Sequence, residues 1–503
     1  MTSTPSQTSA ASPVALRSLI HKAMGPLLFL LIQFIPFFGP PQARVGFGIL
    51  VWMVYWWITV AVDIKFTCLV PVILVAFYPY LPVEKVLQDY MHQHILLIVG
   101  ATAVTAAWAK WGFAKRMALR FLLMFGNDTR KQMVGWFFLT GLVSFVMGNT
   151  PVAAIFAPIA AASLFYAGYE TFESRWDSAA ASNILIAVAW GASAGGMATP
   201  IGGGQAVVTL GFMEKYVGHE VFFLDWSLRM VPISLCVMVA MAAFMYFCMK
   251  PEVRLFKGSR NFYEEELKAM GPMSYEEKVV FWGFLAIVGL ALLRPLYIEF
   301  IKGPFFKWLH PSPLFFIFAV CLFFFPSKDD QEKTILSIPI LTRHFPVAVL
   351  FIWPGAIALG RILNQTGASA VVADWLEVFL HAGHLTTLAA FSIGSNLLSQ
   401  VTSDTSGAGV MIPLVIKTFE GWGGLQFGAV PFIWVSGAAL SWSYAVASST
   451  GAQGIVAGFG VNLKRMFIYG ILGGALSVLV TIVYFYVAIY LLQMDAYILP
   501  PSI

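Results

Sequence analysis

The sequence predicts an all-α polytopic membrane protein of about eleven transmembrane helices, built from two inverted repeats with two re-entrant hairpins and two broken helices. Three observations predict it. Apolar residues make up 59% of the 503 and charged ones only 11%, with a mean hydropathy of +0.79, far from the balance of a soluble globular chain. Apolar runs long enough to cross a bilayer recur along the whole length. A polar stretch inside one of them, Ser144-Phe145-Val146-Met147-Gly148-Asn149-Thr150 with Pro158 behind it, returns as Ser399-Gln400-Val401-Thr402-Ser403-Asp404-Thr405 with Pro413 in the matching place. Polar side chains in such surroundings are costly and mark function. A second pair follows in the same order, Gly202-Gly203-Gly204-Gln205-Ala206 in the first half and Thr450-Gly451-Ala452-Gln453-Gly454 in the second.

Taken in order, residues 1–23 are expected to be disordered, since the stretch up to Pro13 is Ser, Thr, Ala and Pro without charge. Arg17, His21 and Lys22 precede an apolar run that lacks a small-residue cleavage site, so it reads as a retained signal anchor. Spans are expected near 24–40, 46–63, 66–83 and 93–112, giving N-terminal scaffold spans over 24–120. Lys110, Lys115, Arg116, Arg120, Arg130 and Lys131 then place that end, and with it the N-terminus, in the cytoplasm of a multi-pass protein of the plasma (inner) membrane.

The first-repeat transport elements cover 121–249: a hairpin at 132–169 that turns at Gly148-Asn149-Thr150, and a helix at 180–213 broken at Ala198 to Gly204. A span at 228–249 leads back to a charged cytoplasmic linker at 250–278. Scaffold spans of the second repeat, within 279–385, fall near 279–298, 312–326 and 345–363. Its transport elements, 386–503, are a hairpin at 386–419, a helix at 431–460 broken at Ser448 to Ala452, and a last span at 467–492. In this count the basic loops share one side, and the two hairpins enter from opposite sides.

Several classes are excluded. Cys68, Cys236, Cys248 and Cys321 each stand alone in apolar runs, which leaves no disulfide framework or zinc site. The net charge of +5 is confined to span ends and gives no footprint for nucleic acid. An intramembrane protease working through Ser403 or Asp404 needs a second intramembrane Asp or a His, whereas Asp63 and Asp374 fall at span ends and no HExxH occurs. A channel and an arsenite-type efflux carrier are the nearer rivals.

A half-helix ending inside the membrane aims unpaired N–H groups and a positive dipole end into the gap, where an anion can sit without a charged partner. Asn149, Thr150, Ser403, Asp404, Thr405, Thr450, Gly451 and the backbones of Gly203 and Gly204 are therefore the expected substrate ligands. The same loops present carbonyl and hydroxyl oxygens to Na⁺, at Ser144, Gly148, Asn149, Gly202, Ser399, Ser403, Asp404 and Ser449. Gly, Ser and Thr also serve close helix packing, and the repeated register is what argues for a site.

These residues resemble the divalent anion/sodium symporter family, which includes di- and tricarboxylate carriers, over nearly the whole chain. Gly148-Asn149-Thr150 and Ser403-Asp404-Thr405 match its hairpin-tip Ser-Asn-Thr signatures, and the two Gly/Gln stretches stand where it has Thr/Ser-Pro-Pro-Asn-Ala. The resemblance implies a homodimer in the lipid bilayer, an elevator-type transport domain moving against a scaffold, no organic cofactor, and C4-dicarboxylate-like substrates between the tips. The chain departs from the family at three places. Gly148 lacks the hydroxyl of the first signature serine, and both proline pairs are replaced. Asp404 replaces an asparagine, and a full charge some 4 Å from a carboxylate costs about 4 kcal/mol at an effective dielectric of 20. It must be protonated, turned away, or paired with a cation or a base such as Arg361, whose neighbours Gly355 and Gly360 are expected near the second hairpin. The depleted sodium position favours sodium-independent exchange of one dianion for another, with Na⁺ or H⁺ coupling as the alternative.

Overall fold

The computed structural model describes residues 13–59, 61–78, 83–90, 93–256, 259–300, 310–329, 332–344, 349–380, 383–420, 428–447 and 449–498. Most of these residues are helical, and pairing of extended backbone among them is confined to the isolated bridges Asp128 to Leu255 and Pro326 to Thr334. The first half runs through α1 (Pro13–Ile32), α2 (Pro41–Thr59), α3 (Ile64–Thr67), α4 (Val70–Val75), α5 (Val83–Asp89), α6 (Gln93–Lys110) and α7 (Phe113–Leu122). It continues with α8 (Thr129–Ser144), α9 (Asn149–Tyr166), α10 (Phe172–Asp177), α11 (Ala179–Gly195), α12 (Gly204–Val217) and α13 (Phe223–Cys248).

The second half comprises α14 (Ser259–Ala269), α15 (Tyr275–Leu292), α16 (Arg294–Phe300), α17 (Pro311–Leu322), α18 (Ile338–His344), α19 (Val349–Gln365) and α20 (Ala368–Leu380). The last elements are α21 (His384–Val401), α22 (Asp404–Glu420), α23 (Val430–Leu440), α24 (Gly451–Ala457), α25 (Leu463–Tyr486) and α26 (Asp495–Ile498). Asn149–Tyr166, Phe223–Cys248 and Leu463–Leu491 are each long and apolar enough to cross a bilayer unaided. Half-exposed apolar side chains such as Leu228 and Val239 on α13, or Phe467 and Leu479 on α25, form the surface a lipid phase would cover.

Three expected boundaries are corrected. Residues 13–23 are helical, not disordered: a leading proline suits a helix start, and α2 pins the segment where Tyr55 meets His21 Nδ1 at 2.8 Å and Trp56 donates to the Lys22 carbonyl at 3.2 Å. Residues 1–12 lie outside the described residues. The run expected at 24–40 stops at Ile32, where Gln33 bonds the Phe29 and Arg44 carbonyls and Pro36, Pro40 and Pro41 follow. The span expected at 66–83 is two short helices, because Pro71 has no N–H to carry α3 onward; its residues 79–82 lie outside the described ones.

Packing gives α6, α15 and α17 the character of a frame. A Cβ on Gly100 of α6 would stand 2.4 Å from the Phe315 carbonyl carbon of α17, and Phe284 of α15 packs edge-on against Trp108 with ring centroids 4.8 Å apart. The nearly sealed Arg116 of α7 bonds both Glu277 carboxylate oxygens at 3.0 and 3.1 Å, and Glu277 also closes a capping box with Ser274. The open ends of α8 and α9 meet the same stretch of chain: Thr129 N–H reaches the Arg254 carbonyl at 2.9 Å, and the Tyr166 ring stacks on Phe262 at 4.6 Å. A separate apolar cluster joins α1, α2 and α4 to α19 of the second half.

Candidate functional site

Four interruptions of helix build the centre. Residues 145–148 separate α8 from α9, 402–403 separate α21 from α22, 196–203 separate α11 from α12, and 441–450 separate α23 from α24. At each restart the first-turn N–H groups have no intrahelical backbone carbonyl to bond, and side chains take up some of them, at Thr150, Thr405, Ser406 and Gln453.

The two tips touch. Asn149 Nδ2 donates to Asp404 Oδ2 at 2.8 Å, and both residues are buried. The remaining side-chain atom of each, an oxygen, holds its own neighbour: Thr150 N–H donates to Asn149 Oδ1 at 2.8 Å, and Thr405 N–H to Asp404 Oδ1 at 2.7 Å. Both threonine hydroxyls lean on those same oxygens, at 3.4 and 3.3 Å. Each threonine then faces the break of the opposite half. A Cβ on Gly451 would lie 2.2 Å from Thr150 Oγ1, and one on Gly204 would lie 2.4 Å from Thr405 Oγ1.

Behind the tips the breaks are cross-linked. Gln205 Nε2 donates to Ser441 Oγ at 3.0 Å, while Gln453 Nε2 donates to the Ser443 carbonyl at 2.7 Å and to Ser193 Oγ at 3.2 Å. Asp404 N–H reaches the Ser449 carbonyl at 3.3 Å, tying the second tip to the second break. Trp190 Nε1 donates to the Tyr444 carbonyl at 3.0 Å. The expected ligands Asn149, Thr150, Asp404, Thr405, Gly204 and Gly451 are thus brought into one place. Gly203 stands directly before α12, and Thr450 directs its hydroxyl to its own helix, accepting from Gln453 N–H at 3.3 Å.

The hydroxyls expected at sodium have partners of their own. Ser144 Oγ donates to the Gly202 carbonyl at 3.4 Å and Ser399 Oγ to the Leu440 carbonyl at 2.6 Å. Ser449 Oγ donates to the Val446 carbonyl at 2.7 Å. Ser403 is a helix cap, its Oγ accepting from Ser406 N–H at 3.1 Å and donating to Ser406 Oγ at 2.9 Å. Gly148 precedes α9 with no side chain to offer. Donation leaves hydroxyl lone pairs available, so these bonds orient the oxygens without removing them as ligands.

Gln205 Oε1 is different: fully buried, it has no hydrogen-bond partner. Among the described residues no group of three or more His, Cys, Asp and Glu side chains could hold a metal.

Arg361 is one of the candidate partners for a paired Asp404; the hydrogen-bond partners of that carboxyl are Asn149 and Thr405. Gly360 does pack on α22, where a Cβ would meet the Gly409 carbonyl at 2.8 Å, whereas Gly355 packs instead on Cys68 at 2.7 Å. The glutamines were missed as site residues, although their shared place in the repeated stretch was the visible signal.

A cleft of about 410 Å³ lies beside the first tip. Thr105, Ala106 and Ala109 of α6 and Lys115 of α7 form one wall, and Pro151, Ala154, Ile155 and Ile159 of α9 form the other. It reaches the residue next to Thr150 from the end of the molecule that carries the basic loops.

Against known families, residues 53–439 match the model described as citrate transporter, CitMHS. The chain belongs to that family. It is therefore a multi-pass membrane transporter of the divalent anion/sodium symporter group and not an enzyme, which removes the protease reading. Two curated relatives, each named sodium-dependent dicarboxylate transporter SdcS, come from Staphylococcus aureus strains NCTC 8325 / PS 47 and MSSA476. Both are 24% identical over 506 residues, covering 97% of this chain and 95% of theirs. The structure of the Alcanivorax borkumensis YdaH transporter is similar in fold, with a TM-score of 0.53 at 12% identity over 82% of this chain and 89% of that one.

Proposed function

We propose that this transporter carries C4-dicarboxylate-like anions, such as succinate, malate, fumarate and 2-oxoglutarate, between its two tips. The observation that carries the reading is the convergence of four helix restarts on the bonded pair Asn149 and Asp404. A dianion there meets neutral donors, the hydroxyls of Thr150 and Thr405 and the N–H groups that open α12 and α24, so binding needs no cationic side chain. The helix pairs α8–α9 and α21–α22 act as re-entrant hairpins, and α11–α12 and α23–α24 as broken helices of inverted repeats. Residues 121–249 and 386–503 form the unit that carries the site, elevator-fashion, against a scaffold of 24–120 and 279–385 in a homodimer. With the N-terminus in the cytoplasm of a plasma (inner) membrane, the cleft beside α9 is the inward route to Thr150. The dicarboxylate relative of S. aureus supports the substrate class.

Exchange is the coupling mode that Gly148 favours, because that position offers no hydroxyl to a cation. A second reading, sodium coupling, rests on Gln205 Oε1, a buried acceptor without a partner against Gly203 in the first break, where Ser144 Oγ also meets the Gly202 carbonyl; neutral oxygens of this kind suit Na⁺. The relative's sodium dependence and the acceptor-only bonding of Asp404 support it too.

Uptake of labelled succinate into proteoliposomes separates these readings. Saturable uptake in choline medium, stimulated by internal succinate, is the result expected for exchange; uptake only under an inward Na⁺ gradient establishes the second reading, and only under a proton gradient, H⁺ coupling. A channel shows flux that does not saturate, and an arsenite carrier shows no competition by dicarboxylates. Thr150→Ala and Thr405→Ala each raise KM by about tenfold, the loss of one hydrogen bond to a charged group.

A further inference from the structure

Helix α6 is treated differently at its two ends. At the end with the basic loops it stands off α9 across the cleft of about 410 Å³. At the opposite end Leu97 borders a space of only about 20 Å³, shared with Pro200 of the first break, Glu220, His310 and Ser312. The space beside α6 is thus far smaller at this end than at the other.

An ionic cluster borders the smaller space. Arg294, with its side chain 1% exposed at the head of α16, donates through Nε and Nη2 to both oxygens of Glu220, at 2.7 and 2.8 Å. His310 Nδ1, one residue before α17, approaches Glu220 Oε1 at 3.0 Å and adds charge when protonated. Burial works against ionisation of Glu220, but His310 and Arg294 hold its carboxyl below the ordinary range. The turn that carries it is stiff: Gly218 (φ +82°) ends α12, and Val221 N–H bonds Glu214 at 3.1 Å.

The position of this cluster sets it apart from Arg116 and Glu277, which join elements of the frame to one another. Glu220 stands at the far end of α12, whose first residue, Gly204, touches Thr405. Arg294 and His310 belong to the frame of α15 and α17. One rigid helix therefore connects the ion cluster to the substrate tips.

We infer that Glu220, Arg294 and His310 form an outer latch that keeps the site closed to the outside while the inner cleft is open, and that they must part for the site to face outward. The inference rests on the alternating movement proposed above. Bidentate charge-assisted bonds hold the latch, and the Arg294 side chain, 1% exposed, is shielded from water that would weaken them. It should set the resting orientation of the site without contributing to substrate contact.

The test uses full-length protein in vesicles with Cys236, Cys248 and Cys321 replaced by Ala and the buried Cys68 retained. An Ala154→Cys reporter reads the inner cleft, and a Ser312→Cys reporter reads the closed outer space, each with a membrane-impermeant maleimide. Glu220→Gln, which keeps the shape, should slow inner labelling and speed outer labelling by about tenfold each. Arg294→Gln should do the same and His310→Gln less, since His310 is the more exposed partner. Unchanged labelling of both reporters in a folded Glu220→Gln protein, with the parent's melting temperature, overturns the latch. Succinate separates that failure from failure of the transport reading: if it leaves labelling of the parent unchanged, the movement itself is wrong.

Discussion

The tip at Asn149 and the tip at Asp404 share a backbone and differ in charge. Each opens a helix with a threonine next in line, and each threonine meets a glycine from the other half. An amide can donate and accept, whereas a carboxylate can only accept, and this difference lets one residue bond the other between the two halves of the chain. Repetition thus sets where the side chains stand, and a single atom decides the charge placed there. The glycines carry the repetition and Asp404 carries the asymmetry, so the two can be broken separately.

The largest effect is expected from breaking what the halves share. Gly451→Ala puts a methyl within 2.2 Å of Thr150 Oγ1, 2.7 Å of Cγ2 and 3.0 Å of Cβ, so rotating the hydroxyl away does not relieve it. Gly204→Ala meets Thr405 at 2.4, 3.0 and 3.3 Å, a milder clash. Overpacking of this kind costs about 1–3 kcal/mol, and here it also separates a tip from its break. Both variants should lose succinate transport by about a hundredfold, with the lower melting temperature in Gly451→Ala. Normal transport by either would show that the glycine contacts are dispensable.

Next comes the asymmetry itself. Asp404→Asn leaves two amides able to bond one another, so the protein should fold and bind substrate while its dependence on Na⁺ or pH changes. Asn149→Asp instead sets two carboxyl groups at the 2.8 Å contact, and like charges some 4 Å apart cost about 4 kcal/mol at an effective dielectric of 20. It should be inactive at neutral pH. If Asp404→Asn transports with the parent's ion dependence, Asp404 has no part in coupling.

How legible this centre was from sequence differs between its layers. The apolar runs and the repeated Ser, Asn or Asp, Thr stretch located the helices and the tips, because hydropathy and register are properties of the chain itself. Helix ends near prolines were less legible: Pro71 splits one expected span, and α1 begins ahead of its apolar run because tertiary contacts from Tyr55 and Trp56 hold it. The partner of Asp404 was out of reach. Asn149 lies 255 residues away, and nothing in the spacing ranks it above Arg361. Gln205 and Gln453 stood in plain register, yet their roles depend on Ser441 and Ser193, contacts that only the crossing of the two breaks creates.

Those glutamines offer the finest comparison of the two halves. Both amide N–H directions of Gln453 find acceptors, and its Oε1 lies 3.4 Å from the Ser193 hydroxyl; Gln205 uses its amide nitrogen on Ser441 and leaves Oε1 without a partner. Replacing Gln453 by Leu removes several satisfied bonds, each worth about 0.5–1.5 kcal/mol, so it should lower the melting temperature more than Gln205→Leu does. Sodium reverses the order. If Gln205 Oε1 faces Na⁺, then exchanging choline for sodium should raise the melting temperature of the parent and of Gln453→Leu, but not of Gln205→Leu. Equal sodium shifts in the two variants would remove Gln205 from cation binding and return its lone oxygen to packing. A shift lost only in Gln205→Leu would place sodium at the first break, beside Ser144, even though Gly148 has surrendered its hydroxyl.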